Sequence, residues 1–72
     1  MEETRFVIAQ WDGSELSPYE PVETDEAGKR FRAASFSSAD EAYKHLNSVP
    51  NVDQQALMIT TAYVEGYWLK LT

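Results

Sequence analysis

One segment of the chain has the hydrophobic periodicity of an amphipathic helix. Between residues 37 and 49, apolar side chains recur at intervals of three and four, at Ala39, Ala42, Tyr43, Leu46 and Val49. This spacing places them on one stripe of a helix. The opposite face carries charged side chains and is expected to be solvated: Asp40, Glu41 and Lys44.

Both ends of this helix have sequence signals. Ser38 is followed three residues later by Glu41, which fits a capping box. Ser37 is the competing cap, because Asp40 also lies three residues after it. Pro50 cannot continue a helix. The sequence therefore predicts a helix within about two residues of 39–48.

The other apolar segments are typical of strands. β-branched and aromatic residues concentrate near residues 5–11, 30–36, 56–64 and 67–72, as they do in strands. The first has apolar residues on both faces, which suits an inner strand. Residues 51–54 are predicted to form a loop, and Glu65-Gly66 a tight hairpin turn in which Val64 faces Tyr67.

This hairpin would have two distinct faces. The first carries Met58, Thr60, Ala62, Val64, Tyr67, Leu69 and Leu71, and the second carries Leu57, Ile59, Thr61, Tyr63, Trp68 and Lys70. We expect the helix to pack on the first face, because Ala62 and the two leucines offer close apolar contact. The predicted fold is therefore α+β: a single helix on one face of an approximately four-stranded antiparallel sheet, in the order β-β-α-β-β. Residues 1–72 are expected to form one small domain.

An acidic, proline-containing arm interrupts this pattern at about residues 12–28. Pro18 and Pro21 oppose a central strand. Either an extended arm or a loop fits the segment, and Leu16, Tyr19 and Val22 could attach it to the body. It contains no basic residue, whereas its carboxylates are the candidate partner-binding residues Asp12, Glu15, Glu20, Glu23, Asp25 and Glu26.

Three basic residues follow the arm directly: Lys29, Arg30 and Arg32. Because they face six acids, we expect charge pairing across a hairpin rather than a nucleic-acid-binding patch. The whole chain has 6 basic and 12 acidic residues, a net charge of −6. This balance argues against direct nucleic-acid binding and is compatible with a basic protein partner, although a role in solubility alone explains it equally well.

Composition limits the setting in which we expect the protein to act. The chain has no cysteine, which fits a reducing cytoplasm. It has no apolar run long enough to cross a membrane, and its polar start is not a signal peptide. We therefore expect a cytoplasmic protein without membrane contact, in the host cytoplasm if it is phage-encoded, and either a monomer or a homodimer.

The sequence gives little support for catalysis. His45 is the sole histidine, and with no cysteine a zinc site is not expected. The carboxylates of the arm do not follow a calcium-binding loop, and the glycines form no phosphate-binding pattern. We therefore expect no enzyme activity, no catalytic residue, no metal and no cofactor.

The second face of the hairpin is a candidate interface. A single helix covers one face of a sheet, which leaves an apolar patch on the other unless the arm folds back over it through Leu16 and Tyr19. Aromatic side chains commonly anchor protein interfaces. The candidate residues of this aromatic face are Ile59, Tyr63 and Trp68.

In architecture the chain resembles the small acidic anti-CRISPR and other anti-defence proteins of phages and mobile elements. The features that carry the resemblance are the acidic arm, the capped helix FSSADEAYKHL at 36–46 and the terminal hairpin ITTAYVEGYWLKLT at 59–72. It implies a protein that blocks a host nucleic-acid enzyme by offering carboxylates where phosphates would sit. The leading hypothesis is therefore a non-catalytic interaction module that inhibits a basic, nucleic-acid-handling protein. The alternative is a homodimeric scaffolding protein joined through the aromatic face.

Overall fold

The computed structural model describes residues 3–50 and 56–72, which form one α-helix and seven strands. In chain order these are β1 (Glu3–Trp11), β2 (Leu16–Pro18), β3 (Glu23–Thr24), β4 (Phe31–Arg32), β5 (Ser35–Phe36), α1 (Ala39–Leu46), β6 (Leu57–Glu65) and β7 (Trp68–Leu71). The predicted α+β class with one helix is confirmed. The prediction of about four strands is wrong, because the acidic arm contributes two short strands and the segment 30–36 forms two strands instead of one. The loop predicted at 51–54 lies outside the described residues.

All strand pairs are antiparallel, in the order β2-β1-β6-β7-β4-β3, with β5 also paired to β1. The longest ladder joins β1 and β6, from Glu3 opposite Val64 to Gln10 opposite Leu57. β1 has neighbours on both sides, which confirms it as an inner strand. Among the described residues, no helix has the length and apolar character needed to cross a membrane.

The short connection between β2 and β3 requires the sheet to curl. These strands stand at opposite ends of the strand order, yet Pro18 and Glu23 are only five positions apart. Five residues span at most about 18 Å, whereas six strands side by side in a flat sheet would separate the end strands by about 24 Å. The curl also explains why β4 pairs with β7 while β5 pairs with β1, with Ala33 and Ala34 between them.

The curled sheet encloses its own apolar core. Four buried side chains from β1, β4, β6 and β7 form the central cluster: Val7, Phe31, Ala62 and Leu69. Successive residues of a strand point to opposite faces, so Ile8 lies on the face opposite to Val7. Ile8 lines a cavity together with His45 of α1. The helix therefore covers the Ile8 face, and the prediction that it packs on the Ala62 and Leu69 face is wrong, because strand curvature already closes that face.

The terminal hairpin differs from the predicted register by two residues. Val64 is opposite Leu69 and Glu65 opposite Trp68, so Gly66 and Tyr67 form the turn. Gly66 has a φ of 62°, a conformation that glycine adopts without penalty. The predicted pairing of Val64 with Tyr67 is therefore wrong. A shift of two residues nevertheless keeps every strand side chain on its predicted face, since the side-chain period of a strand is two.

The helix begins where the sequence predicts. Ser38 is the N-cap, and its hydroxyl accepts a hydrogen bond from the Glu41 N–H at 3.3 Å. The Glu41 carboxylate accepts from the Ser37 hydroxyl at 3.2 Å, which ties the preceding residue to the first turn. Ala42 is fully buried, but Tyr43 is 52% exposed. The predicted apolar stripe is therefore wrong at Tyr43, because this short helix covers only part of the curled sheet.

Candidate functional site: an acidic cleft beside Trp68

The acidic arm pairs with two different parts of the sheet. Its β2 segment pairs with β1, whereas its β3 segment pairs with β4 at the other end of the strand order. Asp12 and Glu15 consequently lie at the turn between β1 and β2. Glu23, Asp25 and Glu26 belong to the β3–β4 hairpin. The six candidate residues thus belong to two hairpins, with Glu20 on the connection between them.

Asp12 stabilises the turn that begins the arm. Its Oδ1 accepts hydrogen bonds from the Glu15 N–H at 2.9 Å, the Ser14 N–H at 2.8 Å and the Ser14 hydroxyl at 3.0 Å. These donors, the Glu15 N–H most strongly, stabilise the ionised carboxylate and lower the pKa of Asp12, as hydrogen bonds to a charged form do. Asp12 Oδ1 is therefore already hydrogen-bonded within the turn, whereas the side chain of Glu15 is exposed.

Two of the three residues predicted to attach the arm to the body do so. The Tyr19 N–H donates to the Ile8 carbonyl at 3.1 Å, and Leu16 is opposite Trp11 in the β1–β2 ladder. Val22, in contrast, is 76% exposed. Between them Glu20 has a φ of 45°, which is unusual for a residue other than glycine. Leu16 and Tyr19 are thus attached to β1, whereas Val22 is not buried.

Asp25 closes the β3–β4 hairpin. Its Oδ1 accepts from the N–H groups of Lys29 at 2.9 Å and Arg30 at 3.2 Å, and its Oδ2 accepts from Arg30 Nε at 3.0 Å. Partial desolvation raises the pKa of this carboxyl, but the backbone and side-chain hydrogen bonds of Arg30, the Lys29 N–H and the guanidinium charge together outweigh that effect. The net result is a lowered pKa.

Glu23 joins the same hairpin to the terminal turn. Its Oε1 accepts from Arg32 Nη1 and from the Tyr67 hydroxyl, each at 3.4 Å. The guanidinium carbon of Arg32 lies 4.4 Å from the centroid of the Tyr67 ring, a cation–π arrangement. The expected charge pairing across the hairpin is confirmed for Arg30 with Asp25 and for Arg32 with Glu23.

The β3–β4 hairpin and the start of β7 line an open cleft of about 460 Å³. We call this the acidic cleft; its lining residues are Glu23, Thr24, Asp25, Glu26, Ala27, Arg30 and Trp68. Three carboxylates face one guanidinium there. Within the described chain Glu26 forms no ion pair, and it is exposed. The structure thus brings Trp68, a candidate from the aromatic face, next to half of the acidic candidates.

The other two aromatic-face candidates lie on β6, on the Ile8 side of the sheet. Because α1 covers part of this side, the prediction that the helix leaves it open is wrong. Ile59 is opposite Ile8 and half-buried, and Tyr63 is opposite Lys70 and 36% exposed. Trp68 is half-buried and contacts the Tyr67 ring edge-on, with centroids 5.3 Å apart. The sequence did not predict that Tyr67 is exposed in a turn, because its apolar pattern assigned this residue to a strand. Its position directly after Gly66, a residue suited to turns, was the available signal.

His45 contacts the ring of Phe36, with centroids 5.2 Å apart. In the described ranges no three His, Cys, Asp or Glu residues are grouped so that they could hold a metal ion. In the acidic cleft, carboxylates beside an indole ring can bind an organic cation through charge and through the ring face.

Comparison with known proteins adds no relative to this picture. The chain matches no protein-family model, no curated protein and no solved structure.

Proposed function

We propose that the chain is a non-catalytic protein-interaction module that binds a partner with a basic surface. The observation that carries this proposal is the meeting of Glu23, Asp25 and Glu26 with Trp68 in one cleft. Such a cleft suits a lysine or arginine side chain of the partner. The net charge of −6 also favours a basic partner, because a negative field accelerates encounter with a positive surface.

The residues of the acidic cleft have different roles in this proposal. Glu26 supplies the open carboxylate for the incoming cation. The Trp68 ring supplies a face for a cation–π contact, which Arg favours. Asp25 and Glu23 are already paired with Arg30 and Arg32, so they fix the shape of the cleft.

Inhibition follows if the partner's basic surface is one that normally holds nucleic acid. Carboxylates that occupy this surface compete with phosphates, which is the anti-CRISPR-like mode of action implied by the architectural resemblance. A host cytoplasm is the setting we propose for this competition. The expected consequence is mutual exclusion: a partner bound to this protein releases its nucleic acid.

Fluorescence of Trp68 tests the binding proposal. A Trp11→Phe variant leaves Trp68 as the remaining indole, since the chain has 2 tryptophans. We expect a short arginine-containing peptide to change its emission saturably, and the glutamine-substituted peptide to leave it unchanged. Binding should weaken as salt rises, because these charges are solvent-accessible.

Two matched substitutions locate the effect. Glu26→Gln should weaken binding of the arginine peptide, whereas Glu15→Gln makes the same change in the same arm but outside the acidic cleft and should leave binding unchanged. Equal binding by both variants and the parent would contradict the proposal. The acidity would then serve solubility.

The homodimer is a second candidate, favoured by the exposure of Tyr63 on β6. Association through Tyr63 should depend little on salt, in contrast to binding in the acidic cleft. Sedimentation of the parent and of Tyr63→Ala at two salt concentrations separates the two. A dimer that persists in high salt and is lost in Tyr63→Ala supports the scaffolding role.

A further inference from the structure

A second groove, which Trp68 also lines, has a volume of about 520 Å³. Its floor is apolar and continuous with the core, because Ala33 and Val64 pack against the central cluster that includes Leu69. Tyr67 at its rim is 62% exposed. Ligand sites are commonly concave and lined mostly by apolar side chains. We call it the arginine groove, after the charged residues described next.

The charged residues that line this groove are both arginines, Arg5 and Arg32. They stand out in a chain with twice as many acidic as basic residues. Arg5 is held by neutral acceptors: its Nε donates to the Ser35 hydroxyl at 2.7 Å and its Nη2 to the Ser35 carbonyl at 3.2 Å. The carboxylate of Glu3 is 4.0 Å away and exposed, so it compensates this charge only weakly.

Arg32 is positioned by a ring as well as by an acid. Its guanidinium lies over Tyr67, and its Nη1 donates to Glu23 at 3.4 Å. A guanidinium has five N–H donors, so both Arg5 and Arg32 retain donors beyond the contacts described. Donors held in a fixed plane match the two oxygens of a carboxylate. The groove therefore combines an apolar floor with two oriented cations.

We propose that the arginine groove binds a peptide segment of a partner protein in which an Asp or Glu carboxylate is flanked by apolar side chains. Charge complementarity with Arg5 and Arg32 selects the carboxylate, and the floor of Ala33, Val64 and Leu69 accepts the apolar neighbours. This site goes beyond the proposed function, because it favours the opposite charge from the acidic cleft. A nucleic-acid strand suits it less well, since the negative field of the whole chain repels a polyanion.

Random peptides displayed on phage provide the probe. They are selected on immobilised parent protein after removal of those that bind the support without protein. We expect the selected sequences to be enriched in Asp or Glu next to apolar residues. A selection that enriches Lys or Arg, or that shows no enrichment of carboxylates, overturns the proposal.

Synthetic versions of the selected peptides then test the residues of the groove. We expect Arg32→Gln and Arg5→Gln each to raise the Kd about tenfold, as loss of a charge-assisted hydrogen bond does. Lys44→Gln removes a cation on the exposed face of α1 and should leave the Kd unchanged. A peptide whose Asp or Glu is replaced by its amide should bind the parent weakly. Unchanged affinity in the arginine variants overturns the proposal.

Two further variants keep the test sound if Arg5→Gln fails to fold. Arg32→Lys retains the charge but not the planar fork, and Tyr67→Ala changes an exposed turn residue; both should fold and bind less tightly than the parent. Glu26→Gln should bind these peptides normally, which separates this site from the acidic cleft. Sedimentation of the parent without peptide shows whether a second copy fills the groove. A dimer that is lost in Arg32→Gln overturns the peptide assignment.

Discussion

Arg30 holds Asp25 through two hydrogen bonds, one from its backbone N–H to Oδ1 at 3.2 Å and one from its Nε to Oδ2 at 3.0 Å. This pair shows how the protein accommodates its acidic arm. The basic residues that follow the arm fold back on it and neutralise two of its carboxylates, Asp25 and Glu23. The charge left for a partner is consequently concentrated on the exposed acids, of which Glu26 lies in the acidic cleft.

The lowered pKa of Asp25 predicts how the hairpin responds to acid. A carboxyl whose pKa is lowered by folding contributes stability above its unfolded-state pKa and loses that contribution as the pH falls through the folded value. For an aspartate this window lies below about pH 4. We expect Asp25→Asn to melt at a lower temperature than the parent at pH 7, with the difference shrinking in acid. A difference that is constant across this range would contradict the account.

Val7 is the test of the central cluster. It is fully buried in the curled sheet, so Val7→Ala should lower the free energy of unfolding by about 2–3 kcal/mol through lost burial and a residual cavity. Val22→Ala is the matched control, because Val22 is 76% exposed. The same truncation there should change stability by less than about 0.5 kcal/mol. Chemical denaturation of both variants checks the contrast, and equal effects would mean that the core lies elsewhere.

Ser38 is expected to stabilise the start of α1. Its hydroxyl is the acceptor of the Glu41 N–H, and Ser38→Ala removes it. The loss should be about 0.5–2 kcal/mol, as for other N-cap serines. Ser37→Ala removes only an exposed hydroxyl contact to the Glu41 carboxylate and should cost less. Thermal melts of the two variants make the comparison. A larger loss of stability in Ser37→Ala than in Ser38→Ala would contradict the assignment of Ser38 as the N-cap.

Gly66 should be sensitive to any side chain, because its φ is positive. This conformation costs other residues about 1 kcal/mol or more. An added Cβ would meet no atom within 4 Å, so the expected loss in Gly66→Ala is conformational and not steric. Denaturant melts of Gly66→Ala and Gly66→Asn separate the causes, because Asn tolerates this conformation better. Equal losses would argue against a conformational origin.

The sequence was most informative where the determining interactions are local. The cap at Ser38 and the stop at Pro50 depend on neighbours within one turn, and the structure places the helix at Ala39–Leu46 as expected. The two faces of the terminal hairpin were likewise predictable, because alternation does not depend on the register. The turn itself was not: both Glu65-Gly66 and Gly66-Tyr67 contain the required glycine.

The curl of the sheet could not be predicted from local sequence patterns. It depends on the pairing of Phe31 with Leu69 and of Phe36 with Phe6, contacts between segments far apart in the chain. The prediction that the helix packs on the Ala62 face failed for this reason. The same long-range pairing brings Glu26 next to Trp68, so the acidic cleft was not visible as one site even though the residues of both its parts had been named as candidates.

The central claim is that the acidic cleft, and not the overall charge, binds a basic partner. Two-dimensional NMR of the labelled protein, titrated with a short arginine peptide, tests it most directly. We expect the largest shift changes at the Trp68 indole N–H and at the amides of residues 24–27, and we expect Glu26→Gln to remove them. Shift changes spread equally over other exposed acids such as Asp40, and unaffected by Glu26→Gln, would contradict the account.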